Sequence, residues 1–328
     1  MMLQNGKIFL RPLAAFLLLD LLTLPAGAQQ AADDPVQTVA PIPSLGLTAA
    51  KTSELQRALD AHNYIAAEKL LLAEIERDPH SKGAAHLLAY AGSVYFLNGD
   101  YVGAAIAWKK SDAIVPLEPS LQFSLAMDYI RMAHPDWARK VLESLAAQNP
   151  KEALYPYWLG RLDYDGHLYN QAIGNFQHAI KLSPDMARAY DSLGLCYYYQ
   201  NENSLAIENY KKAIDLSLNQ PHPSAWPYLN LSITLQFVNQ LGDAESNLRE
   251  AIRLDPNLAQ AHFQLGSVLE DSHRLEAAIL ELQEAARLDA SYPEPHMALA
   301  RIYHKLGQQA AAQAEVQTYL RLHPHSTP

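Results

Sequence analysis

Apolar and polar residues alternate with a helical period over most of the chain, in segments of about a dozen residues separated by short polar turns. From Arg188 to Gln200 the apolar residues fall at helical spacing. Asn201, Glu202 and Asn203 then make a turn, and Ser204 to Leu216 resumes the pattern. This predicts two antiparallel helices joined tightly. The same pair recurs along the chain. Leu159-Gly160, Ala172, Phe176, Ala179 and Pro184 return 34 residues later as Leu193-Gly194, Ala206, Tyr210 and Ala213. They return again as Leu231, Ala244, Leu248, Ala251 and Pro256, and as Leu265-Gly266, Ala278, Leu282 and Ala285. Weaker copies hold Ala67 and Pro79; Gly92, Tyr95, Ala104 and Pro116; Leu125, Tyr129, Ala138 and Pro150; and Leu299, Tyr303, Ala312 and Pro324. A fixed period of this size marks a repeat array.

The frame places eight copies at 48–81, 85–118, 119–152, 153–186, 187–220, 225–258, 259–292 and 293–326, with short insertions at 82–84 and 221–224. The residue types explain why each copy is a hairpin. Gly194 and Ala206 leave little bulk where the paired helices cross, and Tyr197 and Tyr210 fill the space beside them. Pro184 and Pro256 stop the second helix, because proline lacks an N–H and clashes backwards. A lone hairpin has one inner face to bury. Stacking on both neighbours supplies the rest of the core, so the copies should form a continuous solenoid.

The N-terminus reads differently. Lys7 and Arg11 precede an apolar run from Leu13 to Leu24, and Ala26-Gly27-Ala28 is a small-residue cleavage pattern. The run is too short to span roughly 30 Å of hydrocarbon and contains Asp20. Residues 1–28 are therefore expected to be a cleaved export signal, with a retained anchor as the alternative. Residues 29–47 hold Pro35, Pro41 and Pro43 and little helical pattern, and read as a flexible linker. The expected location is periplasmic or secreted, with no integral membrane span after cleavage.

The repeat pattern resembles the tetratricopeptide repeat family, and the resemblance covers nearly all of the chain after residue 47. It implies an all-α fold: a right-handed α-solenoid of about eight tandem helix-turn-helix repeats. It also implies a concave groove lined by the first helix of each repeat, holding a protein or peptide partner. Carried over position by position, the groove would be lined by Phe123 and Met127 in the third copy. Tyr157, Trp158 and Arg161 would follow in the fourth, and Arg188 and Asp191 in the fifth. The sixth would supply Trp226 and Asn230, and the seventh Phe263 and Gln264. Tyr164 and Tyr198 lie one turn further along their helices. Trp, Tyr and Arg are the residues that most often dominate binding energy, and Arg161 and Arg188 suit carboxylates or backbone carbonyls. The family often closes its arrays with a solvating helix, for which the chain leaves no room before Pro328. The C-terminal end is thus expected to be a contact surface, with self-association as its use.

Composition narrows the function. A formal net charge of −10 argues against a general nucleic-acid binder. One cysteine, Cys196, excludes a disulfide framework and a cysteine-based zinc site, and it reads as a small buried thiol. No Gly-x-Ser-x-Gly, His-Glu-x-x-His or glycine-rich phosphate loop occurs, so neither an enzyme nor a cofactor is expected. Among 13 histidines, His262 and His296 share a frame position that Tyr190 and Tyr228 fill elsewhere, which favours packing over a metal site. A second function stays open: an accessory glycan- or exopolysaccharide-binding protein of the cell envelope, with aromatic rings stacking on sugars and Asp163, Asp165 or Asp191 beside them. On helices, these aspartates read more simply as solvated surface.

Overall fold

The structure, a computed structural model, describes residues 45–323. The expected export signal, most of the linker and the last residues of the eighth copy lie outside the described residues. Within them are sixteen helices and no strand. The first helices of the repeats are α1 (Ala49–Asp60), α3 (Lys82–Leu97), α5 (Pro119–Arg131), α7 (Leu154–Asp165), α9 (Ala187–Tyr199), α11 (Trp226–Phe237), α13 (Ala259–Asp271) and α15 (Glu294–Lys305). The second helices are α2 (Tyr64–Ile75), α4 (Tyr101–Asp112), α6 (Pro135–Gln148), α8 (Tyr169–Leu182), α10 (Asn203–Ser217), α12 (Leu241–Leu254), α14 (Leu275–Leu288) and α16 (Gln309–Leu322). Helix α3 starts inside the stretch read as an insertion at 82–84, because Ser81 caps it by accepting a hydrogen bond from the Ala84 amide. The linker too is shorter than its pattern suggests, since Leu45 is buried against the cluster that holds Leu55, Leu71 and Leu88. No helix among the described residues is long and apolar enough to cross a membrane.

The chain forms two compact units, one ending at Asp165 and the other beginning at Gly166. Unit 1 contains α1 to α7 and unit 2 contains α8 to α16. Inside each unit every helix packs on the next. In unit 2, α9, α11, α13 and α15 also touch in succession, so the first helices make one continuous face.

One backbone device builds every turn. The residue one past the first-helix cap has positive φ in all eight repeats: His62, Gly99, Ala133, His167, Asn201, Asn239, His273 and Gly307. The left-handed residue ends the helix and lets the next amide reach back. Thus His134 N–H donates to Tyr129 C=O at 2.8 Å, and Ala133 N–H to Ile130 C=O at 3.0 Å. Glycine and asparagine adopt this conformation readily and histidine is enriched there, whereas alanine is strained. Three of the histidines thus serve the backbone. The second helices end where proline requires, α8 at Leu182 before Pro184 and α12 at Leu254 before Pro256.

The core repeats with the same period. An added Cβ on Gly194 would lie 2.6 Å from the Tyr210 ring, and one on Gly92 would overlap the Trp108 indole. The missing side chain is therefore the space that the aromatic of the second helix fills. Trp108 and Tyr210 are both fully enclosed, and the Trp108 Nε1–H donates to Ala89 C=O at 3.0 Å.

Candidate functional site

The residues expected to line the groove divide sharply. In unit 1 the first-helix side chains close on one another. Phe123, Met127, Tyr157 and Tyr164 are buried, while Trp158 and Arg161 are half-buried. The Phe123 ring lies 6.0 Å from that of Tyr155 and 6.4 Å from that of Trp158, centre to centre. Trp158 also meets Tyr157 edge-on at 5.7 Å. Arg161 lies beside the Tyr157 hydroxyl at 3.5 Å, at the limit of a hydrogen bond. These aromatics are largely the joint between α5 and α7, with only the outer parts of Trp158 and Arg161 facing solvent.

Unit 2 treats the equivalent positions differently. Asp191 on α9 is buried and accepts a hydrogen bond from the Asn230 amide on α11 at 3.0 Å. Gln264 on α13 donates to the Gln236 side-chain carbonyl on α11. The Gln236 amide in turn reaches Ser267 at 3.1 Å and Asp271 at 2.6 Å. Further along, Glu270 on α13 receives Arg301 at 2.5 Å and Lys305 at 2.7 Å from α15. Burial works against the Glu270 charge, but the two cations hold its carboxyl below the usual range. The first helices of unit 2 are thus laced together by polar side chains. Among them stand half-exposed apolar groups: Leu195, Tyr198, Trp226 and Ile233. Phe237 is 55% exposed and meets the Tyr198 ring edge-on at 6.2 Å. Arg188 is half-buried, and burial pulls its pKa down to about 10, which leaves it charged near neutrality. Phe263 is buried against Tyr292 at 5.3 Å.

Two expectations about the aspartates change. Asp163 is not solvated surface: it is 1% exposed and accepts a 2.7 Å hydrogen bond from Arg139 on α6. Asp191 is likewise enclosed and paired, while Asp165 is exposed. Glycan contacts through Asp163 or Asp191 would have to break these pairs. The residues that sequence reasoning missed are Gln236, Asp271, Glu270, Arg301 and Lys305. Most lie one turn beyond the frame positions used for the groove, so extending that frame by a turn would have found them. His262 and His296 are held alike, with Nδ1 at 2.7 Å from Glu281 and 2.6 Å from Glu315. These are packing pairs, and no cluster of three metal-ligating side chains occurs among the described residues. Cys196 is buried.

A chain of stacked helical hairpins, with each first helix laid beside the next in unit 2, is the architecture of an interaction scaffold. The comparisons agree on the fold. A family described as tetratricopeptide repeat matches residues 159–221, and one described as TPR repeat matches residues 271–307. A tetratricopeptide repeat protein from Parabacteroides merdae superposes with a TM-score of 0.62 at 13% identity, over 83% of this chain and 98% of its own. PilW, a type IV pilus biogenesis factor, gives 0.58 at 20% identity, over 63% and 94%. PilF of Pseudomonas aeruginosa gives 0.56 at 16% identity, over 63% and 93%. No curated protein matches the chain in sequence. The fold is an all-α array of tetratricopeptide repeats, with the family's models matching the chain over residues 159–221 and 271–307.

Proposed function

We propose that the protein is an exported, non-catalytic scaffold that holds an extended peptide or protein segment against the first-helix face of unit 2. The observation that carries this reading is the run Leu195, Tyr198, Trp226, Ile233 and Phe237, set beside the side-chain amides of Asn230, Gln236 and Gln264. Large apolar groups left on one face are costly unless something covers them. An extended chain brings both things that this face accepts: side chains for the apolar stripe and backbone N–H and C=O groups for the amides. Affinity then comes from small contributions summed over three repeats. Export rests on the sequence of residues 1–28, and the likeness to a pilus biogenesis factor is compatible with work in the cell envelope.

Selection from a displayed library of random peptides tests the reading, with binding followed by fluorescence. Tyr198→Ser combined with Phe237→Ser should weaken the selected peptides at least about tenfold, as loss of two aromatic contacts implies. Helical content should not change. Peptides that bind the double variant as tightly as the original chain, or oligosaccharides that bind where no peptide does, would end the peptide reading.

A further inference from the structure

From the second repeat onward, the tenth position of the repeat frame belongs to the core. It is held by Val94, Leu162, Cys196, Thr234, Val268 and Ile302, each of them buried. In the third repeat the same position carries Asp128. Its side chain is completely enclosed, and neither carboxyl oxygen has a hydrogen-bond partner. A buried polar group in that condition costs stability, and a charged one costs far more. Only the terminal first repeat also departs, with the exposed Arg57 at this position; among the repeats that bury it, a carboxyl stands against Val, Leu, Ile, Thr and Cys.

The surroundings give it little help. Arg131, one turn along α5, is drawn to aromatic neighbours. It donates to the Tyr101 hydroxyl at 3.0 Å, and its guanidinium carbon lies 4.9 Å from the Phe96 ring centre and 5.3 Å from that of Tyr101. From the start of α4, Asp100 adds a second negative charge, although its own carboxylate is engaged by the Gly103 amide at 2.8 Å. Burial raises the pKa of the Tyr129 phenol on α5, with Lys109 of α4 opposing the rise and Asp128 and the α4 residue Asp112 adding to it. From α6, Arg139 is committed to Asp163. Asp128 therefore sits where α5 packs on α4 and the Phe96–Trp108 cluster, with the Arg131 cation acting from its own helix and the Asp100 anion from the start of α4.

We propose that Asp128 is a pH-operated release between the second and third repeats: protonated, it packs as a core residue, and ionised, it loosens α5 from α4. On ionisation the carboxyl gives its proton to water, and the carboxylate must be wetted, which the packed core prevents. The direction follows from the linkage. Burial raises the carboxyl to about 7; Arg131 opposes the shift and Asp100 adds to it. In the unfolded chain the group titrates near its ordinary value of about 4. The packed state is therefore favoured fully below that value, and the advantage is lost as pH rises through 7. Helix α5 carries Phe123 and Met127, so its loosening would also open the aromatic joint with α7.

Hydrogen exchange of the full chain at pH 5.5 and pH 8.5 tests this, after correction for intrinsic exchange. Amides of α4 and α5 should exchange at least about tenfold faster at the higher pH, and those of α9 to α11 should change much less. Asp128→Asn should abolish the difference, and Asp128→Val, which restores the residue of the second and seventh repeats, should do the same. Should either variant fold poorly, an NMR titration of the Asp128 carboxyl in the unaltered chain decides, with a midpoint expected near 7. A midpoint below about 5, or a pH response of α5 that survives in both variants, would overturn the proposal.

Discussion

Unit 1 and unit 2 are written in the same 34-residue frame yet use their first helices in opposite ways. In unit 1 the equivalent positions carry Phe123, Met127 and Tyr157, with Tyr155 and Trp158 beside them, and these large side chains bury one another. In unit 2 they carry Asp191 and Asn230, which pair with each other, and Gln264, which pairs with Gln236, and these bonds leave Trp226 and Tyr198 half-exposed. The frame thus fixes which side of a helix a residue takes. Whether it remains free for a partner depends on the size and polarity of its counterpart one repeat away. Aromatic meeting aromatic closes the face, whereas amide meeting carboxylate ties the helices together without covering their apolar neighbours.

Five substitutions would break or sharpen this contrast. Tyr210→Ala should cost about 4 kcal/mol, because a fully enclosed ring would leave a cavity beside Gly194. Urea unfolding followed by far-UV circular dichroism would show the loss, and with a core that repeats by register Trp108→Ala in unit 1 should match it. Next, Arg139→Ala should cost about 3 kcal/mol by removing the cation that pairs with the enclosed Asp163 carboxylate. Arg253→Ala in unit 2 removes an exposed partner of Glu250 and should cost less than about 0.5 kcal/mol. Equal losses would show that ion pairs in the two units do not differ as their burial implies. A gain of about 1 kcal/mol is expected from Ala133→Gly, which removes a Cβ from a left-handed turn; glycine at Gly99 and Gly307 already occupies that place. A thermal midpoint below that of the unaltered chain would count against it.

The smallest effect concerns His262. Its hydrogen bond with Glu281 raises the imidazole pKa against an opposing contribution from burial, while the Pro256 carbonyl, the Glu281 charge and Glu284 add to the rise. The pair therefore stabilises unit 2 fully below the unfolded value of about 6.5, and that contribution is lost as pH rises through the folded value. Comparing melting midpoints of the chain and its His262→Gln variant from pH 5 to 8.5 would expose the difference. The variant should lose most at low pH, and a gap that widens on raising the pH would contradict the sign.

Much of the fold was legible because it depends on local period. Small residues at Gly194 and Ala206, bulky ones at Tyr210 and Leu248, and prolines at Pro184 and Pro256 each constrain a helix within its own repeat. The turn histidines were less legible. His62, His167 and His273 hold the left-handed turn position, and the first two also bond the hydroxyls of Tyr64 and Tyr169, but a histidine's enrichment in that conformation is too weak a signal to announce a turn from sequence. The candidate site was the least legible. Asp163 reads as surface until Arg139, which precedes it by 24 residues, is seen to meet it. Asp191 and Asn230 are 39 residues apart and pair across a repeat junction. Phe123 and Tyr157 fit the groove frame, but Tyr155 and Trp158 beside them decide that they are buried. A frame gives directions, whereas burial depends on pairs that join one repeat to the next.

The central claim is that the first-helix face of unit 2 carries the partner. Hydrogen exchange of the full chain with and without a selected peptide tests it most directly. Protection should rise along α9, α11 and α13, strongest around Trp226 to Phe237. Protection confined to the second helices α10, α12 and α14, or to unit 1 alone, would contradict it.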